Sequence, residues 1–241
     1  MQQLEKPQRV NLDGIICEYL LSPESDRAII LLEGLPAIPQ RIEFMNSLRE
    51  GGYSVFYPRF RGTWESSGTF LKESPVLDVL EVATRIYEGV DLEQSVRYKS
   101  STIHVLATSF AGAVSLSLPK REFIQKIISL SPVFDFTKVA SIQTLKLFLR
   151  NLFTMAYRFD DNRWEDLIHN KIVAPVYNFD SATTNQHLVI TGALDDQISM
   201  KELEVFCSER SIQIKIYPGV GHISYSKMSK EILKDILSFF E

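Results

Sequence analysis

The amino-acid sequence predicts an α/β fold built on a mostly parallel eight-stranded sheet flanked by helices. Three observations carry this expectation. Short apolar runs bounded by turn residues alternate with segments whose apolar residues recur at steps of three and four. Interior runs such as 27–32 (RAIILL) and 102–107 (TIHVLA) are almost continuously apolar, as parallel strands covered on both faces must be. No internal repeat, low-complexity tract or linker interrupts the 241 residues, so residues 1–241 are expected to form one domain.

In chain order, Asp13-Gly14 is a tight-turn dipeptide, and it joins an expected antiparallel pair at 9–12 and 15–21. The strand at 27–32 leads to a helix over 40–50, stopped by Gly51-Gly52, and then to a strand at 53–57. A polar loop over 58–70 precedes a helix at 76–87. The strand at 102–107 runs directly into a helix at 110–118. Strands at 126–130, 187–191 and 212–217 and helices at 201–209 and 227–240 complete the alternation. More than fifty residues separate the sixth strand from the seventh, too many for an ordinary connection. Within them Ile142, Leu145, Leu149, Leu152 and Ala156 fall on one helical face, and 163–170 suits a second helix. Residues 132–186 are therefore expected to form a helical lid inserted after the sixth strand, since open α/β sheets bind ligands at their carboxyl edge. A surface helix pair packed on the sheet fits the same pattern.

Composition narrows the function classes. Hydrophobic residues make up 45% and charged residues 23%, the balance of a globular chain rather than a disordered one. The net charge of −4 and the scattered Lys and Arg give no basic face, so no nucleic-acid partner is expected. The opening Met1-Gln-Gln-Leu-Glu-Lys-Pro lacks the apolar run of a secretory signal, and no apolar stretch suits a membrane span. Cys17 and Cys207 make no disulfide framework, and a reducing cytoplasm is the expected address. With no H-E-x-x-H, no phosphate-binding G-x-x-x-x-G-K and no G-x-G-x-x-G after the first strand, neither a metal nor a nucleotide cofactor is expected. A homodimer is left open.

Chemistry enters at Ile103-His-Val-Leu-Ala-Thr-Ser109-Phe-Ala-Gly-Ala, where an apolar strand meets small residues, a serine and a helix. A serine on so sharp a strand-to-helix turn is exposed at the sheet edge beside helix N-terminal N–H groups that can stabilise developing negative charge. The usual motif is G-x-S-x-G; here Ala107 and Ala111 hold the glycine positions and Gly112 follows. A-x-S-x-A also fits a plain helix N-cap serine. Two further segments bear on the choice. Gly192-Ala-Leu-Asp195-Asp-Gln-Ile198 follows the 187–191 strand, and Pro218-Gly-Val-Gly-His222 follows the 212–217 strand. Ser109, Asp195 and His222 thus fall just past the ends of three predicted strands, on one edge of one sheet. Asp196 and Asp135 are rivals for the acid, and His222 also fits a surface turn.

From 27 to 240 the chain resembles the α/β-hydrolases, similar to the serine aminopeptidase/monoacylglycerol-lipase-like and dienelactone-hydrolase-like branches. Gly192-x-x-Asp195-x-x-Ile198 resembles their acid loop, and Tyr217-Pro-Gly-Val-Gly-His222 their histidine turn. Leu32-Glu-Gly34-Leu35-Pro36 resembles their oxyanion loop with Glu33 in place of histidine, and 58–68 their D-x-R-G-x-G-x-S loop with Arg59 and Trp64 as departures. The substituted elbow is similar to acyl-protein thioesterases. The resemblance implies a serine esterase or thioesterase: Ser109 as nucleophile, His222 as general base, Asp195 as the acid orienting it, and the backbone N–H groups of Leu35 and Phe110 as the oxyanion hole. The substrate would be a small-molecule or carrier-bound acyl compound, and the aromatics Phe134, Phe136, Phe148, Phe153, Tyr157, Phe159 and Trp164 either form an acyl pocket or pack the lid itself. An acyltransferase using the same three residues, or a catalytically silent binding protein, are the alternatives.

Overall fold

The computed structural model describes residues 4–23, 25–39, 41–92, 96–139 and 141–241. Strands β1 (Gln8–Leu12) and β2 (Ile15–Leu20) form the antiparallel pair across Asp13 and Gly14, both at positive φ as a tight hairpin turn requires. β2 also pairs antiparallel with β4 (Ser54–Pro58). β4, β3 (Arg27–Leu32), β7 (Thr102–Thr108), β8 (Ile124–Leu130), β9 (His187–Gly192) and β10 (Gln213–Tyr217) then run parallel. The eight-stranded order is β1-β2-β4-β3-β7-β8-β9-β10. A separate two-stranded ribbon, β5 (Val90–Asp91) with β6 (Arg97–Tyr98), is too short to leave a periodic signal.

Alternation along the strands divides the core between two helical layers. On β3, Ile29 and Leu31 face α1 (Ile42–Glu50) and α8 (Lys230–Phe240), through Phe44, Met45, Leu48, Ile232 and Ile236. Ala28, Ile30 and Leu32 face the opposite layer, which includes α2 (Pro75–Glu88) and α3 (Ser109–Leu116). α7 (Met200–Glu209) covers β9 on that second side through Leu203, Phe206 and Cys207 against Val189. The chain leaves β3 toward β4 in one direction and β7 toward β8 in the other, so the topological switch point lies between the carboxyl ends of β3 and β7.

The stretch between β8 and β9 carries α4 (Ile142–Leu152), α5 (Asp161–Ile168) and the short α6 (Pro175–Asn178). The periodicity predicted helix through Ala156, yet α4 stops at Leu152 because the chain is drawn onto the loop after β4. There Trp64 N–H donates to the Ala156 carbonyl (2.7 Å), Arg158 N–H to Gly62 (2.9 Å) and Phe70 N–H to Arg158 (2.6 Å). Asp160-Asp161 is a helix start: Asp160 caps α5 by accepting from Asn162 N–H, and Asp161 pairs with Lys146 and Arg150. Gln40, the predicted start of the first helix, lies outside the described residues. The last helix begins at Lys230 rather than 227, behind a 3₁₀ turn and the Ser229 cap. Among the described residues no helix is long and apolar enough to cross a membrane.

Two strand histidines are core residues. Burial, aided by the Lys126 and Arg27 charges, pushes His104 down to about 4; its ring stacks on Phe240 at 4.7 Å and neither nitrogen has a hydrogen-bond partner among the described residues. Burial likewise pushes His187 down to about 4. A histidine kept neutral in the folded state binds its proton first in the unfolded chain, so stability is full above pH 6.5 and is lost as pH falls toward 4. The loss is at most about 3 kcal/mol per histidine. Urea midpoints measured from pH 7 to pH 4 are expected to fall, and His104→Phe is expected to flatten the fall by roughly half. An unchanged slope in the variant would count against this account.

Candidate active site

Ser109 follows the extended Thr108 and has φ of 53°. A non-glycine residue there costs on the order of 1–3 kcal/mol and persists only where its surroundings fix it. Here Val133 N–H donates to the Ser109 carbonyl at 3.1 Å, and Gly34 N–H donates to Thr108 Oγ1 at 3.0 Å. Ala107 and Ala111 are wholly buried, so alanine is small enough at both motif positions. The glycine requirement has moved elsewhere. A Cβ on Gly112 would lie 2.6 Å from Pro132 Cβ, and one on Gly34 would lie 2.6 Å from Ser109 Cβ.

Asp195 and His222 come together where the β9 and β10 loops touch. A Cβ on Gly192 would sit 2.1 Å from the Val220 carbonyl oxygen, so only glycine lets the two loops cross. Leu194 N–H then donates to that oxygen at 2.8 Å. His222 Nδ1 lies 2.9 and 3.1 Å from the two Asp195 carboxylate oxygens, which reserves Nε2 for another partner. Burial pushes the Asp195 carboxyl up, but the hydrogen bond and charge of His222, the Ser131 hydroxyl and the Gln197 N–H outweigh it and hold Asp195 below the ordinary range. Ser131 also accepts from Ile223 N–H at 3.1 Å, and Tyr225 places its hydroxyl 2.8 Å from the Leu32 and Leu106 carbonyls.

Ser109 and His222 line one cavity of about 490 Å³, with Leu35, Pro36, Phe110, Val133, Phe136, Ile142, Leu145, Phe148, Asp196 and Gln197 among its other walls. No hydrogen bond joins Ser109 to His222 in this structure; both are cavity-facing, and such pairs often tighten only with substrate bound. The Phe110 N–H lies in the first turn of α3, where no helical carbonyl serves it. Of the seven aromatics considered from sequence, Phe136 and Phe148 reach the cavity. Phe134 packs on Phe206, Phe153 on Trp64 and Tyr157, and Phe159 on Trp164. Asp135, the alternative acid, caps a turn by accepting from Thr137 N–H and holds Asn170 at 2.7 Å.

Sequence reasoning missed the device that holds the loop after β3. Buried Glu33 accepts from the Tyr57 hydroxyl (2.6 Å), Arg41 Nε (2.8 Å) and Ile38 N–H (3.3 Å), and a second guanidinium nitrogen of Arg41 also bonds it. The other departure, Arg59, is buried against Glu18 at 2.6 Å and also pairs with Glu65. Arg61 anchors its loop to Asp78 at 2.5 Å. An arginine opening α1 and a tyrosine near the end of β4, the strand that follows it, were the only available signals for the Glu33 cluster.

Neither a family model nor a curated protein sequence matches the chain. Solved structures do. An esterase from Pyrococcus furiosus superposes with TM-score 0.68 at 16% identity, over 98% of this chain and 92% of that one. A soluble variant of the monoglyceride lipase from Saccharomyces cerevisiae, crystallised with a substrate analogue, gives 0.69 at 13% identity over 100% and 97%. A Xanthomonas campestris α/β serine hydrolase described as lacking a lid gives 0.58 at 18% identity over 98% and 92%. The chain has the α/β-hydrolase fold. Within that fold the ends of β3, β7, β9 and β10 meet at one edge, and all four supply residues to the arrangement above.

Two substitutions probe this geometry. Gly34→Ala is expected to displace Ser109 and cut its acylation by a fluorophosphonate about tenfold or more, a barrier rise of roughly 1.4 kcal/mol, with the far-ultraviolet dichroism retained. Glu33→Gln removes the carboxylate facing Arg41 and is expected to cost about 3 kcal/mol in urea unfolding, the low end for a broken buried pair because the guanidinium keeps some solvent.

Proposed function

We propose that the chain is a serine hydrolase that cleaves a carboxylic ester, or the chemically related thioester, through an acyl-Ser109 intermediate. The observation that carries this reading is the Asp195–His222 contact on the wall of the same cavity as a serine held at positive φ. His222 Nε2 takes the Ser109 proton once a side-chain rotation closes the pair, and Ser109 Oγ bonds to the substrate carbonyl carbon. The resulting oxyanion is held by the Leu35 and Phe110 N–H groups. Collapse expels the alcohol or thiol, which receives the proton from His222; water then repeats the sequence and frees the acid. Asp195, ionised by its surroundings, holds the imidazole tautomer and balances the imidazolium.

Residues 132–186 act as the lid in this reading. α4 lends Ile142, Leu145 and Phe148 to the cavity, while 153–159 is tied to the loop after β4. With Val133, Phe136 and Ile198 they supply an apolar chamber for the acyl chain. The whole chain acts as one catalytic domain. Buried, unpaired Cys17 and Cys207 suit a reducing compartment such as the cytoplasm.

A fluorophosphonate probe tests the reading. The folded protein is expected to take up one adduct, lost in Ser109→Ala and strongly reduced in His222→Ala; no adduct on the intact protein would overturn it. Across p-nitrophenyl esters, kcat/KM is expected to rise by up to about fourfold per added methylene, the worth of burying one CH₂, until the chamber is full.

A further inference from the structure

The described residues lining the cavity separate by burial. Phe110, Val133, Phe136, Ile142 and Ile198 are buried, whereas Ser141, Thr144, Phe148, Asp196 and Gln197 are exposed. The cavity therefore has an apolar interior and a rim that is polar except at Phe148. Among those lining residues there is no lysine or arginine, and Asp196 is the sole carboxylate. Nearby acidic residues are committed to the fold: Asp195 to His222, Asp135 to Thr137 and Asn170, and Asp161 to Lys146 and Arg150. Asp196 has neither an ion pair nor a side-chain hydrogen bond among the described residues, and it does not cap α7, whose N-cap is Ser199.

Position gives that charge a use. Asp196 adjoins Asp195, with Cα atoms about 3.8 Å apart, and Asp195 carries the imidazole. Asp196 and His222 line the same cavity, and whatever group receives the proton from His222 must lie beside that imidazole, so a charge on the departing half of the substrate would lie in the field of Asp196. From this we infer that the site selects by the charge of the leaving group: esters of cationic, ammonium-bearing alcohols are preferred to neutral ones, and neutral ones to anionic ones such as phosphate-bearing thiols. The inference rests on the hydrolase reading above and narrows its substrate class. Asp196 binds and steers; it takes no part in bond making.

The test uses phenyl hexanoates matched in leaving-group strength, with a para trimethylammoniomethyl, hydroxymethyl or sulfonatomethyl group. One unit charge about 6 Å from another in water is worth about a factor of three, so the cationic ester is expected to exceed the anionic one in kcat/KM by about tenfold at low salt. Asp196→Asn is expected to bring that ratio close to one, and about 1 M salt to compress it in the native protein. A ratio near one in native protein that still takes the fluorophosphonate overturns the charge inference and leaves the hydrolase reading standing. A ratio that survives Asp196→Asn unchanged overturns the assignment to this residue. Absence of both adduct and turnover, with the fold intact, overturns the hydrolase reading itself, and the charge inference falls with it.

Discussion

A serine in the left-handed region at the end of β7 needs space on every side, and the surrounding loops are shaped by that need. Thr108 and Ser109 reverse the chain between an extended strand and a helix, so two neighbouring segments, the Gly34 loop and the Pro132 stretch, approach closely. Gly34 yields on one side and Gly112 on another, where Pro132 passes. Alanine stands at 107 and 111, both fully buried. The energetic cost of the turn is met by cross-loop hydrogen bonds from Val133 and Gly34, and so the serine is held by the sheet edge as a whole rather than by its own helix.

The same edge collects buried charge, and each such charge is matched. Glu33 is answered by Arg41 and the Tyr57 hydroxyl, Arg59 by Glu18, and Asp195 by His222. Unmatched, any of them would cost several kcal/mol of desolvation. The pairs differ in what they fix. Glu33 shapes the loop that carries Leu35, whereas Asp195 sets the orientation of one ring.

Much of the fold was legible because parallel strands covered on both sides must be apolar at nearly every position; 27–32 and 102–107 could be little else. Turn chemistry gave the opening hairpin and the Gly51-Gly52 stop. What escaped was short or non-local. Two-residue strands have no period, and α4 ends early because of hydrogen bonds to residues nearly a hundred positions away, at Gly62 and Trp64. At the site, the contact of Asp195 with His222 and the place of Ser109 on the same cavity wall follow from positions after three strand ends. Their support does not. Gly34 makes room for Ser109 from a loop far away in sequence, and no local pattern links Glu33 to Tyr57 and Arg41. The aromatic residues of 132–186 illustrate the limit: sequence marks them apolar, but only packing decides that Phe136 and Phe148 face the cavity while Trp164 is sealed in the core.

The phenol of Tyr225 lies three residues beyond His222 and is shared between the carbonyls of Leu32 and Leu106, on neighbouring central strands. Those strands also carry the loop before Leu35 and the turn at Ser109. The C-terminal segment is thereby moored to the two strands that lead to Leu35 and Ser109. That anchor couples the position of the His222 turn to the register of β3 against β7.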